Sequence, residues 1–373
     1  MRKTYFIKAI ITLSLIFTMT ACDKEEKKVV IKEPGKTITI LDDSDKEESS
    51  NEISVEKIDH YKNEIISDWL DEDTVVLSKE NETLDKMSLA ELSDNYPNSL
   101  YLLDITTKDY KLLKEQKDVS LFPGLLSMDK KYLLYSDFSL GDPVYYVMNM
   151  DTLESYGLMG DPIGGAITAE WADDDTVIGT AYSGGAYLAD GSGKITLIDE
   201  LKGEALYIVK KIGHTIYYTR EYDGILRKLD LTTKEKVEYL ERVMKVIPSP
   251  DGKQMLLLQF DPNHNKASLL VYDLESGEKI SVVEGFETDA ISGISWSPDQ
   301  RLIAYNLKEI GSNAAVRSLY VYDMLTGESS QIAVDVHNLS TSWSPSGEKL
   351  ACTEKNGTAI DSSIIYLKIK SNE

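Results

Sequence analysis

Two similar stretches decide the fold: Ile294–Asn306, ISWSPDQRLIAYN, and Thr341–Thr353, TSWSPSGEKLACT. Each places Trp-Ser-Pro ahead of a short apolar run. The proline fixes φ early in a turn, while Asp or Gly tolerates the later positions. The β-branched and aromatic residues that follow suit a pleated strand. Each stretch therefore predicts a strand, a tight turn and a second strand.

The same unit recurs along the chain. A second mark is a short strand followed by Asp and a turn rich in Thr, Ser or Gly, and it returns every 40 to 50 residues. Seven such marks, with three or four short strands each, predict an all-β fold, a seven-bladed β-propeller of four-stranded antiparallel blades. The tryptophans at the ends of the first strands are expected to pack between blades: Trp69, Trp171, Trp296 and Trp343. At the end of the short strand, the aligned position of the seven marks holds Asp104, Asn149, Asp190, Asp230, Asp273, Asp323 and Lys368. All but Lys368 are expected to cap the following turn with their side chains.

The two ends of this repeat predict how the ring closes. After Ile364–Lys370 only three residues remain, so the seventh blade lacks its outermost strand. A segment near the front, Glu52–Ile58 (EISVEKI), is similar to Lys279–Gly285 (KISVVEG), which is the outermost strand of the fifth unit. We therefore expect Ile53–Ile58 to pair with Ile364–Lys370, which leaves no blade unpaired.

The segments WSPDQRLIAY and WSPSGEKLAC resemble the repeats of TolB-like propellers, also called WD-repeat-like or PD-type repeats. The resemblance is strong over Ile247–Lys370, fair over Ile65–Asp199 and poor in the fourth unit. It implies a propeller fold and leaves the function open, because these repeats serve many roles.

The N-terminus predicts export. Basic residues precede an apolar stretch, Ala9–Met19, which is too short to span a bilayer comfortably. Its end, MTAC, resembles a bacterial lipoprotein signal, which implies cleavage before Cys22 and a lipid on Cys22 that anchors the chain to the cell membrane. An ordinary secretory signal with an incidental cysteine is the alternative. Without Cys22, Cys352 has no disulfide partner and is expected to be a small buried residue.

Charge and composition distinguish a tether from the propeller in the rest of the chain. The formal net charge of −23 argues against a nucleic-acid partner. Residues 22–51 are rich in charge and predict a flexible tether between a signal at 1–21 and a propeller at 52–373. Within the tether, Thr37–Leu41 is apolar enough to form a strand. The acidic run lacks the ligand spacing of a calcium loop.

Few motifs for chemistry are present. The chain contains no Gly-x-Ser-x-Gly elbow, which argues against a serine hydrolase. None of its four histidines has a partner at metal-ligand spacing, so we expect no metal and no cofactor. Asp261 and His264, in the turn DPNHNK, can serve a ligand or a cation, or form an ordinary turn. Acidic residues around the axis can also meet as an acid–base pair.

The loops between second and third strands are expected to lie on one face and to carry binding. The longest of them, Lys79–Asn98, includes a segment with helical character, Glu82–Leu92. Its apolar residues are expected to dock on the propeller or on a partner: Met87, Leu89, Leu92 and Tyr96.

These patterns favour a lipid-anchored, extracytoplasmic propeller that binds a protein, a peptide or an envelope glycan and is not an enzyme. Two alternatives remain open. The chain can be a glycan lyase or hydrolase that uses carboxylates lining its channel, or the sensor subunit of a membrane signalling complex.

Overall fold

The structure is a computed structural model and describes residues 28–33, 36–41, 53–88, 94–138, 143–221, 223–310, 315–356 and 359–370. The chain divides into two compact units, Met1–Ser50 and Asn51–Glu373. In the first unit, β1 (Lys28–Glu33) pairs in antiparallel fashion with β2 (Lys36–Leu41), which contains the strand expected from the sequence. Among the described residues, no helix is both long enough and apolar enough to cross a membrane.

The second unit begins with β3 (Ile53–Tyr61) and continues as consecutive four-stranded antiparallel sheets. Blade one contains β4 (Glu64–Trp69), β5 (Thr74–Glu80), β6 (Asn98–Asp104) and β7 (Tyr110–Lys114). Blade two contains β8 (Ser120–Leu126), β9 (Tyr132–Phe138), β10 (Val144–Asn149) and β11 (Ser155–Gly157). A small hairpin follows, formed by β12 (Met159–Gly160) and β13 (Gly164–Gly165).

Blade three contains β14 (Glu170–Trp171), β15 (Thr176–Thr180), β16 (Ala186–Asp190) and β17 (Ile195–Leu197), followed by a 3₁₀ turn at Asp199–Leu201. Blade four contains β18 (Leu206–Ile212), β19 (Thr215–Arg220), β20 (Leu226–Asp230) and β21 (Lys236–Leu240). Blade five contains β22 (Val243–Pro248), β23 (Gln254–Asp261), β24 (Lys266–Asp273) and β25 (Lys279–Phe286).

Blade six contains β26 (Ile291–Trp296), β27 (Leu302–Ile310), β28 (Ala315–Asp323) and β29 (Glu328–Val334). Blade seven is completed from both ends of the unit, by β30 (Asn338–Trp343), β31 (Lys349–Asn356), β32 (Ala359–Ile369) and then β3. The described residues thus form the seven blades expected from the repeat.

Ring closure is confirmed in register. Strand β3 pairs with β32 from Ile53 opposite Ile369 to Tyr61 opposite Ser362. The pairing is longer than expected, because β3 continues past Ile58. The segment expected to be helical, Glu82–Leu92, contains no helix in its described part, which ends at Ser88.

The core lies between the blades. Neighbouring blades cover both faces of each second strand, so these strands are nearly continuous apolar runs rather than alternating ones. In β5, for example, the four residues from Val75 to Ser78 are all buried. One cluster joins Trp69 and Val75 of blade one to Ala351 and Ile364 of blade seven. The fold is therefore stabilised chiefly by contacts between blades, as the packing expected for the tryptophans requires.

Three of the four tryptophans form a repeated hydrogen bond between blades. The indole Nε1 of Trp69 donates to the Ser342 carbonyl at 3.1 Å, and that of Trp171 to the Leu125 carbonyl at 2.7 Å. Trp296 donates in the same way to a carbonyl of blade five. Each indole therefore fixes the end of its own first strand against the preceding first strand.

The capping prediction is also confirmed. The Asp104 carboxylate accepts the backbone N–H groups of Thr106 and Thr107, both at 2.8 Å. These hydrogen bonds lower the pKa of Asp104. Corresponding bonds are made by further members of the set, namely Asn149, Asp190, Asp230, Asp273 and Asp323. These acidic residues thus belong to turns.

Candidate functional site

The first strands of the blades surround the axis of the ring. Strand β4 lies against β8 and β30, β18 lies against β22, and β26 lies against β30. In a propeller, strands that converge in this way line the central channel. Candidate site residues are therefore the side chains of these strands that remain accessible to solvent between the neighbouring blades.

Register identifies equivalent channel positions. The position directly before each tryptophan can be compared between blades through its partner on the second strand. Glu170 lies opposite Ile178 in blade three, and Ser295 lies opposite Ala304 in blade six. The same pairing places Lys210 of blade four at this position, opposite Tyr217. The equivalent position therefore carries a charged side chain in two consecutive blades, three and four.

One further acid at this position has a structural role. The Asp68 carboxylate accepts the backbone N–H groups of Trp69 at 2.8 Å and of Leu126 at 2.9 Å, and the Ser342 hydroxyl at 3.1 Å. It thereby joins blades seven, one and two. With these donors in place, Asp68 is a poor candidate for chemistry.

Three charged residues on consecutive blades form what we call the channel cluster: Glu170, Lys210 and Lys245. The Lys210 ammonium donates to a Glu170 carboxylate oxygen. Lys245 lies on β22, where a register shift between Val243 and Lys245 leaves both Met244 and Lys245 exposed. The cluster thus combines one carboxylate with two amines on one side of the channel.

The environment shifts the pKa values of two members of the channel cluster. Burial raises the pKa of Glu170, and the positive charge of Lys210 only partly opposes this shift. Solvent reaches part of the Lys245 side chain, yet the surrounding channel wall lowers its pKa, and the nearby Lys210 charge lowers it further. A carboxyl of raised pKa and an amine of lowered pKa are the kinds of group that general acid–base chemistry uses.

Four exposed apolar residues lie at the end of the ring where the first strands begin and the second strands end. We call them the rim: Ile167, Tyr182, Tyr207 and Met244. Tyr207 is 67% exposed although it lies on a first strand, and Tyr182 is 52% exposed. A register shift between Leu206 and Val209 frees Tyr207 from the regular alternation of β18.

Close packing of two loops holds the rim together. Loop 181–185 carries Tyr182, and the Gly185 N–H donates to the Glu204 carbonyl at 2.7 Å, just ahead of β18. A Cβ on Gly184 would lie 2.9 Å from the Gly203 Cα, and Gly184 has φ of +81°. Glycine is therefore required here for the backbones to approach.

The residues of the predicted loop site differ in how far they are buried. Met87 is only 2% exposed, and the Ser120 hydroxyl lies 3.9 Å from its sulfur, so Met87 packs on the propeller. Tyr96 is partly buried, with the Lys86 ammonium 5.2 Å from its ring centroid. Three further predicted residues lie outside the described part of the chain: Cys22, Leu89 and Leu92.

Asp261 and His264 meet in an exposed turn, where His264 Nδ1 lies 2.6 Å from an Asp261 carboxylate oxygen. This contact, together with the Asn263 N–H, lowers the pKa of Asp261. Across the described residues, no group of three or more His, Cys, Asp or Glu side chains lies close enough together to hold a metal ion.

The channel cluster and Tyr207 are not among the site residues predicted from the sequence. One signal was available, because β18 reads LYIVKKI and places two adjacent lysines in a first strand, whereas no other first strand of the seven described blades carries more than one. That unit was the poorest member of the repeat, so its charges could not be assigned to the channel without the register.

No protein-family model matches this chain. One curated relative is a putative Tricorn-like protease C-terminal subunit of Sulfurisphaera tokodaii, 26% identical over 128 residues. That match covers 34% of this chain and spans only 13% of the relative's length.

Several solved structures share the fold. An oligogalacturonate lyase of Vibrio parahaemolyticus has a TM-score of 0.61 and 13% identity, over 83% of this chain and 91% of that one. An oligogalacturonate lyase in complex with manganese has a TM-score of 0.57 and 15% identity, over 84% of this chain and 98% of that one. TolB of Acinetobacter baumannii matches with a TM-score of 0.46 and 15% identity, over 79% of this chain and 63% of that one. The seven four-stranded sheets and the likeness to the two lyases make the chain a β-propeller, as the repeat predicts.

The same findings correct one prediction. The two lyases are enzymes, and the propeller fold extends over nearly all of each chain. The expectation that this chain is not an enzyme is therefore wrong. It depended on the missing hydrolase elbow, which argues against one class of enzyme but does not argue against catalysis by a propeller itself.

Proposed function

We propose that this chain is an extracytoplasmic, lipid-anchored propeller that binds an acidic oligosaccharide in its channel and cleaves it by β-elimination. One observation carries the proposal: the channel cluster joins a carboxyl of raised pKa to a lysine of lowered pKa, beside a second lysine. The likeness in fold to lyases of oligogalacturonate supports the substrate class, an oligosaccharide of uronic acids.

Local charge fits such a ligand, although the chain as a whole is acidic. Screening limits the influence of surface carboxylates to a Debye length of roughly 8 to 10 Å. In the protonation states that the elimination uses, Lys245 and Glu170 are both neutral, and Lys210 provides the positive charge of the channel cluster. A uronate carboxylate can therefore pair with Lys210, in place of or alongside Glu170.

Each residue has a defined role in the elimination. Neutral Lys245 takes the proton from C5 of the uronate, and that electron pair forms the C4–C5 double bond. The C4–O4 bond breaks, and protonated Glu170 gives its proton to the departing oxygen. Lys210 holds the carboxylate on which negative charge develops. The reaction needs no water and no oxidant, and solvent later resets the two protons.

The Lys245→Met variant tests the proposal. We expect kcat/KM to fall by about 10²- to 10⁴-fold, the usual contribution of a general base. Wild-type activity should rise as the pH approaches the lowered pKa of Lys245, because the base acts unprotonated. The assay follows the ultraviolet absorbance of the unsaturated product from polygalacturonate, alginate and glucuronan.

Lys253→Met is the matched control, since Lys253 lies in the same blade and its side chain is 80% exposed. It should retain full activity. The absence of product from all three polymers, or a Lys245→Met variant as active as the wild type, would overturn the proposal.

The anchor is tested separately. Diacylglycerol on Cys22 supplies two acyl chains, which suffice for stable attachment. Cys22→Ser should therefore move the protein from the membrane fraction to the soluble fraction. Immunoblotting of the two fractions, prepared from cells that express the variant, measures this change. Cys352→Ser, at the buried cysteine of blade seven, should leave the protein with the membrane. Equal membrane retention of both variants would contradict lipid anchoring.

A further inference from the structure

The rim offers a surface that the elimination does not use. Tyr207 and Tyr182 are large side chains with more than half of their surface exposed, and Ile167 is 46% exposed. Met244 is 36% exposed, directly beside Lys245. Exposed apolar side chains next to a polar cluster are typical of the lining of small-molecule sites.

The position of Tyr207 relates this surface to the channel cluster. Tyr207 and Lys210 lie on the same strand, three residues apart, which corresponds to about 10 Å along the strand. This separation exceeds the span of one sugar ring. A carbohydrate that contacts both residues must therefore contain more than one sugar.

We propose that the rim is a second subsite, at which Tyr207 stacks on the apolar C–H face of a sugar ring. The proposal rests on the proposed function, since it takes the channel cluster as the place of cleavage. The substrate is then an oligosaccharide that extends outward from the cleaved bond. Tyr182 and Met244 lie at the same end of the propeller, and the packed loops that carry Gly184 and Gly203 fix the backbone near Tyr182 before the ligand binds.

Substrate length provides the test. Digalacturonate fills the channel cluster alone, whereas tetragalacturonate also reaches the rim. We expect Tyr207→Ala to lower kcat/KM for the tetramer by about tenfold, the loss of one packed aromatic contact. Its kcat/KM for the dimer should not change. Tyr207→Phe keeps the ring and should behave like the wild type, and Leu325→Ala, at an exposed residue of blade six, is the surface control.

A binding measurement separates this proposal from the proposed function. Calorimetry gives the affinity of the dimer and of the tetramer for the Glu170→Gln variant, which lacks the proposed general acid and should bind the ligands without cleaving them. Preferential binding of the tetramer that depends on Tyr207, with no cleavage by the wild type, supports the subsite and overturns the elimination. Cleavage with an equal effect of Tyr207→Ala on dimer and tetramer, or with no effect on either, overturns the subsite alone. Failure of both ligands to bind and to be cleaved overturns both.

Discussion

Deletion of Ile53–Tyr61 is expected to abolish cooperative unfolding of the propeller. The segment supplies the outer strand of blade seven and pairs with β32 along its whole length. Ile53 packs with Leu319 of blade six, and Tyr61 belongs to the cluster of blade one. Loss of a buried side chain of this size lowers the free energy of unfolding by about 2 to 5 kcal/mol. Two such losses remove much of the roughly 5 to 15 kcal/mol that stabilises a typical domain.

A point variant tests the same closure in a chain that still folds. Ile53→Ala should lower the free energy of unfolding by about 3 kcal/mol, because the side chain is only 4% exposed. Val55→Ala is the matched control on the same strand, where the side chain is 37% exposed and the loss should stay below about 1 kcal/mol. Denaturant midpoints of the two variants measure the difference. Similar losses, or a deletion variant with the wild-type midpoint, would show that the ring does not depend on this strand.

The repeat could be predicted because it depends on local chemistry. A turn needs Pro, Asp or Gly at set positions, and a strand between two blades needs a continuous apolar run. The closing strand could be predicted for the same reason, since Glu52–Ile58 is similar to a strand that occupies the equivalent place in blade five. The end of β3 at Tyr61 was missed, because the repeat specifies pairing but not how far a strand continues.

The channel cluster could not be predicted in the same way. Regular alternation would place Met244 and Lys245 on opposite sides of β22, yet a register shift exposes both. A similar shift in β18 exposes Tyr207. Such bulges depend on how first strands converge on the axis, which no local residue pattern records. The pKa values of Glu170 and Lys245 depend in turn on burial and on a neighbouring blade.

Replacement of Trp69 by alanine is the second large effect that we expect. Trp69 is fully buried, and its indole donates to the Ser342 carbonyl across the boundary between blades one and seven. The variant Trp69→Ala should lower the free energy of unfolding by about 3 to 5 kcal/mol, through lost packing and a cavity. Trp171→Ala should cost less, because that tryptophan is only partly buried.

Phenylalanine separates the hydrogen bond from the packing. Trp343 is 6% exposed, and its Nε1 has no hydrogen-bond partner among the described residues. Trp343→Phe therefore removes packing and a buried N–H that has no acceptor within the described part of the chain, whereas Trp69→Phe removes packing and a hydrogen bond and leaves the Ser342 carbonyl without its indole donor. We expect Trp69→Phe to be the more destabilising by about 1 to 3 kcal/mol in denaturant unfolding. Equal losses would mean that the repeated indole hydrogen bond adds nothing to the packing, and that apolar contact alone holds neighbouring blades in register.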